Sequence, residues 1–114
     1  MQAEILSIGT ELLLGEIVDT NAAWIARQLT TIGLNLYFKA TVGDNQHRIA
    51  EILRNSLRRS EVIITTGGLG PTVDDVTREA VAEATDRDLV LDEALLEEVA
   101  AFFARMGRPM TANN

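Results

Sequence analysis

The sequence has 114 residues, which favours one domain, and its formal net charge of −7 comes from 17 acidic and 10 basic residues. The absence of cysteine excludes disulfides, thiolate metal sites and cysteine nucleophiles, and the single histidine excludes a multi-histidine metal site. The sequence has no long basic run of the kind that binds nucleic acid, and no run of about 20 apolar residues that could span a membrane. We therefore expect a cytoplasmic protein that binds neither nucleic acid nor membrane.

The first predicted strand is the apolar run at residues 5–8, which ends at Gly9. Residues 9–16 read GTELLLGE, and because glycines flank the short apolar stretch we predict a loop or an irregular turn there. Glu11 follows the carboxyl end of the strand, which is the edge at which open α/β sheets bind ligands. It is therefore either a residue of a binding site or a solvated loop acid.

A helix is predicted next, because apolar residues recur at helical spacing over residues 22–32 and Gly33 ends the pattern. Its N-cap is one of three consecutive residues, Asp19, Thr20 or Asn21.

The second predicted strand covers residues 34–42 and ends at Gly43. Asp44 again lies just past the carboxyl end of a strand, so it is either a catalytic residue or a turn residue that caps the next helix. That helix is predicted from the apolar positions of residues 49–57.

The third predicted strand, residues 62–64, leads into a glycine-rich loop at residues 65–75, which reads TTGGLGPTVDD. Glycines let backbone N–H groups approach a ligand, and the N-terminus of the helix that follows adds partial positive charge, so we predict an anion site. The loop's carboxylates repel a bare phosphate, which favours a divalent metal as its companion. The hydroxyl donors and acids of the loop are Thr65, Thr66, Thr72, Asp74 and Asp75.

The rest of the sequence predicts a helix that starts near Asp75 and a final helix that Asp92 caps and Gly107 ends. The final helix carries an apolar stripe, which we interpret as core or as a subunit interface. No closing strand follows it, so we expect the chain to be the N-terminal part of a longer protein. Alternating strands and helices predict an α/β fold with a mainly parallel sheet.

The glycine loop is not a Walker A motif, because no Gly-Lys-Ser/Thr follows, and its glycines do not have the GxGxxG spacing. If the three strands are neighbours, the acids that follow them converge: Glu11, Asp44 and either Asp74 or Asp75. Such oxygen ligands suit Mg²⁺ or Mn²⁺ bound to substrate phosphates, and a metal-held phosphate can be activated for displacement. We favour Asp75 as the site residue and Asp74 as its support or as a helix cap.

Four motifs resemble those of one family: GTELLLG at residues 9–15, DTN at 19–21, VGDN at 42–45 and TTGGLGPTVDDVT at 65–77. Over residues 4–114 the sequence is similar to the N-terminal domain of the competence/damage-inducible CinA proteins, which belong to the MoaB/MogA-like molybdopterin-binding superfamily. The resemblance implies one domain over residues 1–114 with a three-layer α/β/α fold, truncated before its later strands. It also implies a homo-oligomer, either a dimer or a trimer.

The resemblance further implies that the glycine loop holds a small phosphate-bearing ligand, a nucleotide or a pterin. The residues assigned to this ligand are Gly9, Thr10, Thr66, Gly67, Gly68, Leu69, Gly70 and Thr72. Acids at the positions of Asp44 and Asp75 are functionally important in the family, so both are assigned as catalytic. Together with Glu11 they are also assigned as ligands of a divalent Mg, Mn or Co ion. Asp74 and Asn21 are assigned as residues that support these metal ligands.

The activity that the resemblance implies is metal-dependent hydrolysis of ADP-ribose to AMP and ribose 5-phosphate. Longer family members often carry a C-terminal nicotinamide-mononucleotide deamidase domain, which is absent from these 114 residues. The alternatives are a non-catalytic module that binds molybdopterin or a nucleotide, an enzyme of molybdenum cofactor biosynthesis, and an assembly domain whose pocket has lost its ligand.

Overall fold

The structure, a computed structural model, describes residues 1–110, and strands alternate with helices along them. The last four residues of the predicted domain, 111–114, lie outside the described residues. In chain order the elements are β1 (Gln2–Ile8), α1 (Thr10–Leu13), α2 (Thr20–Thr31), β2 (Asn35–Val42), α3 (Gln46–Arg59), β3 (Val62–Thr66), α4 (Thr77–Thr85) and α5 (Glu93–Met106).

β1 lies at the centre of a parallel sheet with the strand order β2-β1-β3. Its alternate side chains enter two apolar clusters, one on each face of the sheet, as the two-residue period of a strand requires. On one face Leu6 and Ile8 pack with α3 and α4, and on the other Ala3 and Ile5 pack with α2. Helices therefore cover both faces, which confirms the predicted three-layer α/β/α fold.

Side chains cap the helices at the predicted places. The carboxylate of Asp19 accepts a hydrogen bond from a backbone N–H of α2 (3.0 Å), and that of Asp92 accepts one from α5 (3.1 Å). Gly107 ends α5 in the left-handed conformation with φ of 67°. Asn45 caps α3, so the neighbouring Asp44 is not needed for that structural role.

Two expectations about local structure were wrong. Residues 9–16 contain one turn of helix, α1, because four residues are too few for a helical period to be visible in the sequence. α4 begins at Thr77, close to Asp75 as predicted, but its N-cap is Val76, which has no capping side chain. The alternative that Asp74 caps this helix is therefore wrong.

No residue of α5 is buried, although the helix carries a long apolar stripe. The exposed large apolar side chains of α5 are Leu95, Leu96, Val99, Phe102 and Met106. For the described residues the interpretation of the stripe as core is wrong, and its alternative, a subunit interface, stays a prediction. None of the helices within residues 1–110 has the length and apolar character needed to cross a membrane.

A buried carboxylate joins α3 to the sheet. Glu4, which is 4% exposed, accepts hydrogen bonds from Arg59 Nη2 (2.7 Å) and Nε (2.9 Å), and from the hydroxyls of Ser60 (2.6 Å) and Ser56 (3.1 Å). The Arg59 guanidinium also lies 3.9 Å from the ring centroid of Phe38 on β2. Burial raises the pKa of Glu4, but the hydrogen bonds together with the Arg59 charge outweigh it, and the net pKa is lowered.

We expect Glu4→Gln to lower the free energy of unfolding at pH 7 by about 2 kcal/mol, because charge-assisted bonds are lost while the half-exposed Arg59 keeps contact with water. The folded-state pKa of Glu4 is lowered, so its contribution is present above the ordinary carboxyl pKa and is lost as the pH falls through the lowered value. In urea unfolding, the difference in free energy of unfolding between wild type and Glu4→Gln should therefore shrink below about pH 4. Glu51→Gln, on the exposed side of α3, should change little, and a pH-independent effect of Glu4→Gln would contradict this account.

Candidate functional site

A cavity of about 410 Å³ opens where the strands reach their carboxyl ends. Because the three strands are parallel and end at this edge, residues far apart in the sequence meet here. The lining includes nine of the residues predicted for the site: Glu11, Asn21, Asp44, Thr66, Gly67, Gly68, Thr72, Asp74 and Asp75. Most of the residues predicted for the site therefore lie together at the carboxyl ends of the strands.

Four residues predicted to bind the ligand do not line this cavity. The Gly9 N–H donates to a carbonyl at the end of β2 (2.9 Å), and the Gly70 backbone hydrogen-bonds to Asp75. Leu69 is exposed to solvent, and Thr10 pairs with an acid of the site. Direct contact between any of these four residues and a ligand stays a prediction.

Gly67 and Gly68 have φ angles of 94° and 66°, which favour glycine. A Cβ at Gly67 would overlap the carbonyl oxygen of Ile8, and one at Gly68 would overlap the hydroxyl of Thr77. That hydroxyl donates to the Gly67 carbonyl (2.8 Å) and so ties the loop to the first turn of α4. The glycine loop is therefore held against the end of β1, and both glycines lie on the cavity wall.

The carboxylate of Asp75 is fixed by the loop that contains it. Thr72 donates to Asp75 Oδ2 from its hydroxyl (2.6 Å) and from its backbone N–H (3.0 Å). The bond from the Thr72 hydroxyl has the largest effect and lowers the pKa of Asp75. The bonds from the backbone N–H groups of Thr72 and Gly70 lower this pKa further. Asp75 is therefore ionised at neutral pH, which suits it to hold a cation.

Asp44 is fixed by a reciprocal pair of hydrogen bonds with Thr10. The Thr10 N–H donates to Asp44 Oδ2 (3.2 Å), and the Asp44 N–H donates to the Thr10 hydroxyl (3.2 Å). This pair was not predicted, because it depends on the strand register: Ile8 of β1 pairs with Val42 of β2, so the residues two positions further along are neighbours.

Three apolar residues, which the sequence analysis did not assign to the site, also line the cavity: Leu12, Ile17 and Val18. They lie in α1 and in the connection to α2. The available signal was the apolar character of residues 17–18 in a segment without a predicted helix or strand.

Negative charge dominates the cavity: none of the described lining residues is Lys or Arg, and five are acids, Glu11, Asp19, Asp44, Asp74 and Asp75. An anionic ligand is therefore repelled unless a cation accompanies it. Within residues 1–110, no three acidic or histidine side chains converge closely enough to hold a metal by themselves. The donors fit an ion of the Mg²⁺ type, which shares its coordination between one or two carboxylates and the phosphates of a ligand.

Residues 4–113 match the family model described as "Probable molybdopterin binding domain". The chain therefore belongs to the molybdopterin-binding domain family. It is 51% identical over all its 114 residues to a protein of Acetivibrio thermocellus and 48% identical to one of Bacillus cytotoxicus, both named competence-damage inducible proteins. The chain spans 28% of the length of each of these two relatives.

Solved structures agree with these sequence matches. The crystal structure of CinA from Thermoplasma acidophilum is similar with a TM-score of 0.86 and 34% identity, over 98% of this chain and 65% of that one. The molybdopterin biosynthesis enzyme MoaB from Thermus thermophilus is similar with a TM-score of 0.69 and 29% identity, over 77% of this chain and 57% of that one. The resemblance to the CinA branch of the superfamily is thereby confirmed.

We expect Gly67→Ala to destabilise the protein by about 2–4 kcal/mol, because the new Cβ adds a clash with the Ile8 carbonyl to the strain of a positive φ. Gly15→Ala is the matched control: Gly15 has a φ of 75° but open space around its Cβ position, so only the strain of about 1 kcal/mol applies. Chemical denaturation of both variants measures the difference. Equal losses would show that the close approach at Ile8 is not a constraint.

Proposed function

We propose that the chain binds a small molecule with phosphate groups, a nucleotide or a pterin, in the cavity at the ends of the strands. The proposal is supported by the glycine loop, which brings Gly67 and Gly68 to the cavity wall beside the hydroxyls of Thr66 and Thr72. Backbone N–H groups near the N-terminus of a helix are well suited to phosphates. Membership of the molybdopterin-binding domain family points to the same kind of ligand.

We further propose that the full-length protein hydrolyses ADP-ribose to AMP and ribose 5-phosphate with a divalent Mg, Mn or Co ion. The observation that carries this proposal is the set of carboxylates facing the phosphate site without a basic side chain among the described lining residues. Asp75, whose pKa is lowered, suits the role of a cation ligand better than that of a base. Glu11 lines the same cavity and is proposed as a further ligand of the cation. When bound, the cation neutralises charge on the phosphate oxygens.

Asp44 is the proposed base of this reaction, because its two bonds with Thr10 fix its place in the cavity. The oxygen of a water molecule forms a bond to one phosphorus of the pyrophosphate, and the bond from that phosphorus to the bridging oxygen breaks. Asp44 accepts the proton that the water loses, and the bridging oxygen leaves with the second phosphate. Asn21 and Asp74 also line the cavity and are proposed to support the reacting groups.

The exposed apolar stripe of α5 supports a homo-oligomer, a dimer or a trimer, as a further proposal. Large apolar surfaces of this kind often mark sites where proteins associate.

A second candidate function is supported by the likeness to MoaB, an enzyme named for molybdopterin biosynthesis. In that case the cavity holds a pterin, either as a non-catalytic module or as part of molybdenum cofactor synthesis, and ADP-ribose is not turned over. Release of AMP separates the two candidates.

We expect the full-length protein to release AMP from ADP-ribose when Mg²⁺, Mn²⁺ or Co²⁺ is added, and to stop when EDTA removes the ion. Asp44→Asn should slow the release on the order of 100-fold, because the base is lost. Asp88→Asn, at an exposed aspartate that does not line the cavity, should leave the rate unchanged. Absence of AMP with all three ions, together with tight pterin binding, would rule out the hydrolase and favour the second candidate.

A further inference from the structure

An apolar surface borders the otherwise acidic cavity. Leu12, Ile17 and Val18, which we call the apolar wall, line the same space as the glycine loop. Two of them are poorly covered by the protein itself, since Ile17 is 54% exposed and Val18 is 83% exposed. Exposed apolar side chains gathered beside polar groups in a concave surface are typical of a site that covers them with a ligand.

The cavity also offers more space than a phosphate site alone requires. Its volume of about 410 Å³ falls among pockets that hold whole small molecules, which span roughly 300–1,000 Å³. Such pockets combine apolar surface with a few polar groups that fix orientation. Here the glycines, threonines and acids supply the polar part, and the wall supplies the apolar part.

The wall's position in the chain gives it a polar neighbour. The segment that carries Ile17 and Val18 leads directly into Asp19 and Thr20, where α2 begins. Asn21 follows in the first turn of α2 and lines the cavity too. Its side-chain amide has a donor and an acceptor, the combination that reads the edge of a nitrogen heterocycle.

We propose that the apolar wall contacts the flat face of the ligand's fused nitrogen heterocycle, a purine or a pterin, while the phosphates of the same ligand lie at the glycine loop. This inference rests on the proposed binding function and identifies the part of the site that selects the ligand. Asn21 hydrogen-bonds to the edge of the ring in this arrangement. A compound with the same phosphates but no ring leaves the wall exposed and binds more weakly.

Calorimetry of the full-length protein with Mg²⁺ tests the inference through two pairs of probes: ADP against pyrophosphate, and neopterin phosphate against inorganic phosphate. Wild type should bind at least one ring compound about tenfold more tightly than its ringless partner. The double variant Ile17→Ser/Val18→Ser should lose about five- to tenfold in affinity for that ring compound and keep its affinity for the ringless one. A loss confined to ADP assigns the wall to purines, and a loss confined to neopterin phosphate assigns it to pterins.

Val90→Ser is the matched control, because Val90 is 84% exposed, as Val18 is, but does not line this cavity. It should change no affinity, and an unchanged melting temperature of the double variant excludes loss of fold. Equal affinities of wild type and double variant for both ring compounds, with the ringless anions still bound, would overturn this inference alone. Failure of wild type to bind any of the four probes would overturn the proposed binding function and this inference with it.

Discussion

The end of β3 lies against the end of β1 at Gly67, where a side chain would overlap the carbonyl oxygen of Ile8. The chain then turns through two successive positive φ angles, and the hydroxyl of Thr77 closes the turn by donating to the Gly67 carbonyl. α4 therefore starts from a fixed point at the edge of the sheet, and its Ala80 enters the core beside β1. Sheet, glycine loop and helix depend on this one close approach.

The same edge gathers negative charge beside the proposed phosphate site. Thr10 holds Asp44 and Thr72 holds Asp75, so a threonine fixes each of these two acids. Acids held in this way would repel a phosphate in the absence of a counter-charge. We propose that a divalent cation resolves this conflict, because such an ion can bind a carboxylate of the site and the phosphates of a ligand at the same time.

The strands, the longer helices and their caps were predictable because apolar periodicity and residues such as Asp92 are local signals. Most of the site followed from the rule that parallel strands expose their carboxyl ends at one edge. The Thr10–Asp44 pair was missed because it depends on strand register, which no local pattern shows. The apolar wall at Ile17 and Val18 was not predictable because it depends on the path of the connection between α1 and α2. The exposure of α5 was not predictable because apolar periodicity does not show whether another surface covers the helix.

The most direct measurement is a crystal structure of the full-length protein with ADP and Mn²⁺, in which anomalous scattering locates the ion. We expect the phosphates of ADP against Gly67 and Gly68, with the Mn²⁺ peak between those phosphates and the carboxylate of Asp75. Nucleotide bound at another surface would contradict the account. Phosphates at the loop without a Mn²⁺ peak beside Asp75 would contradict the shared cation on which the account depends.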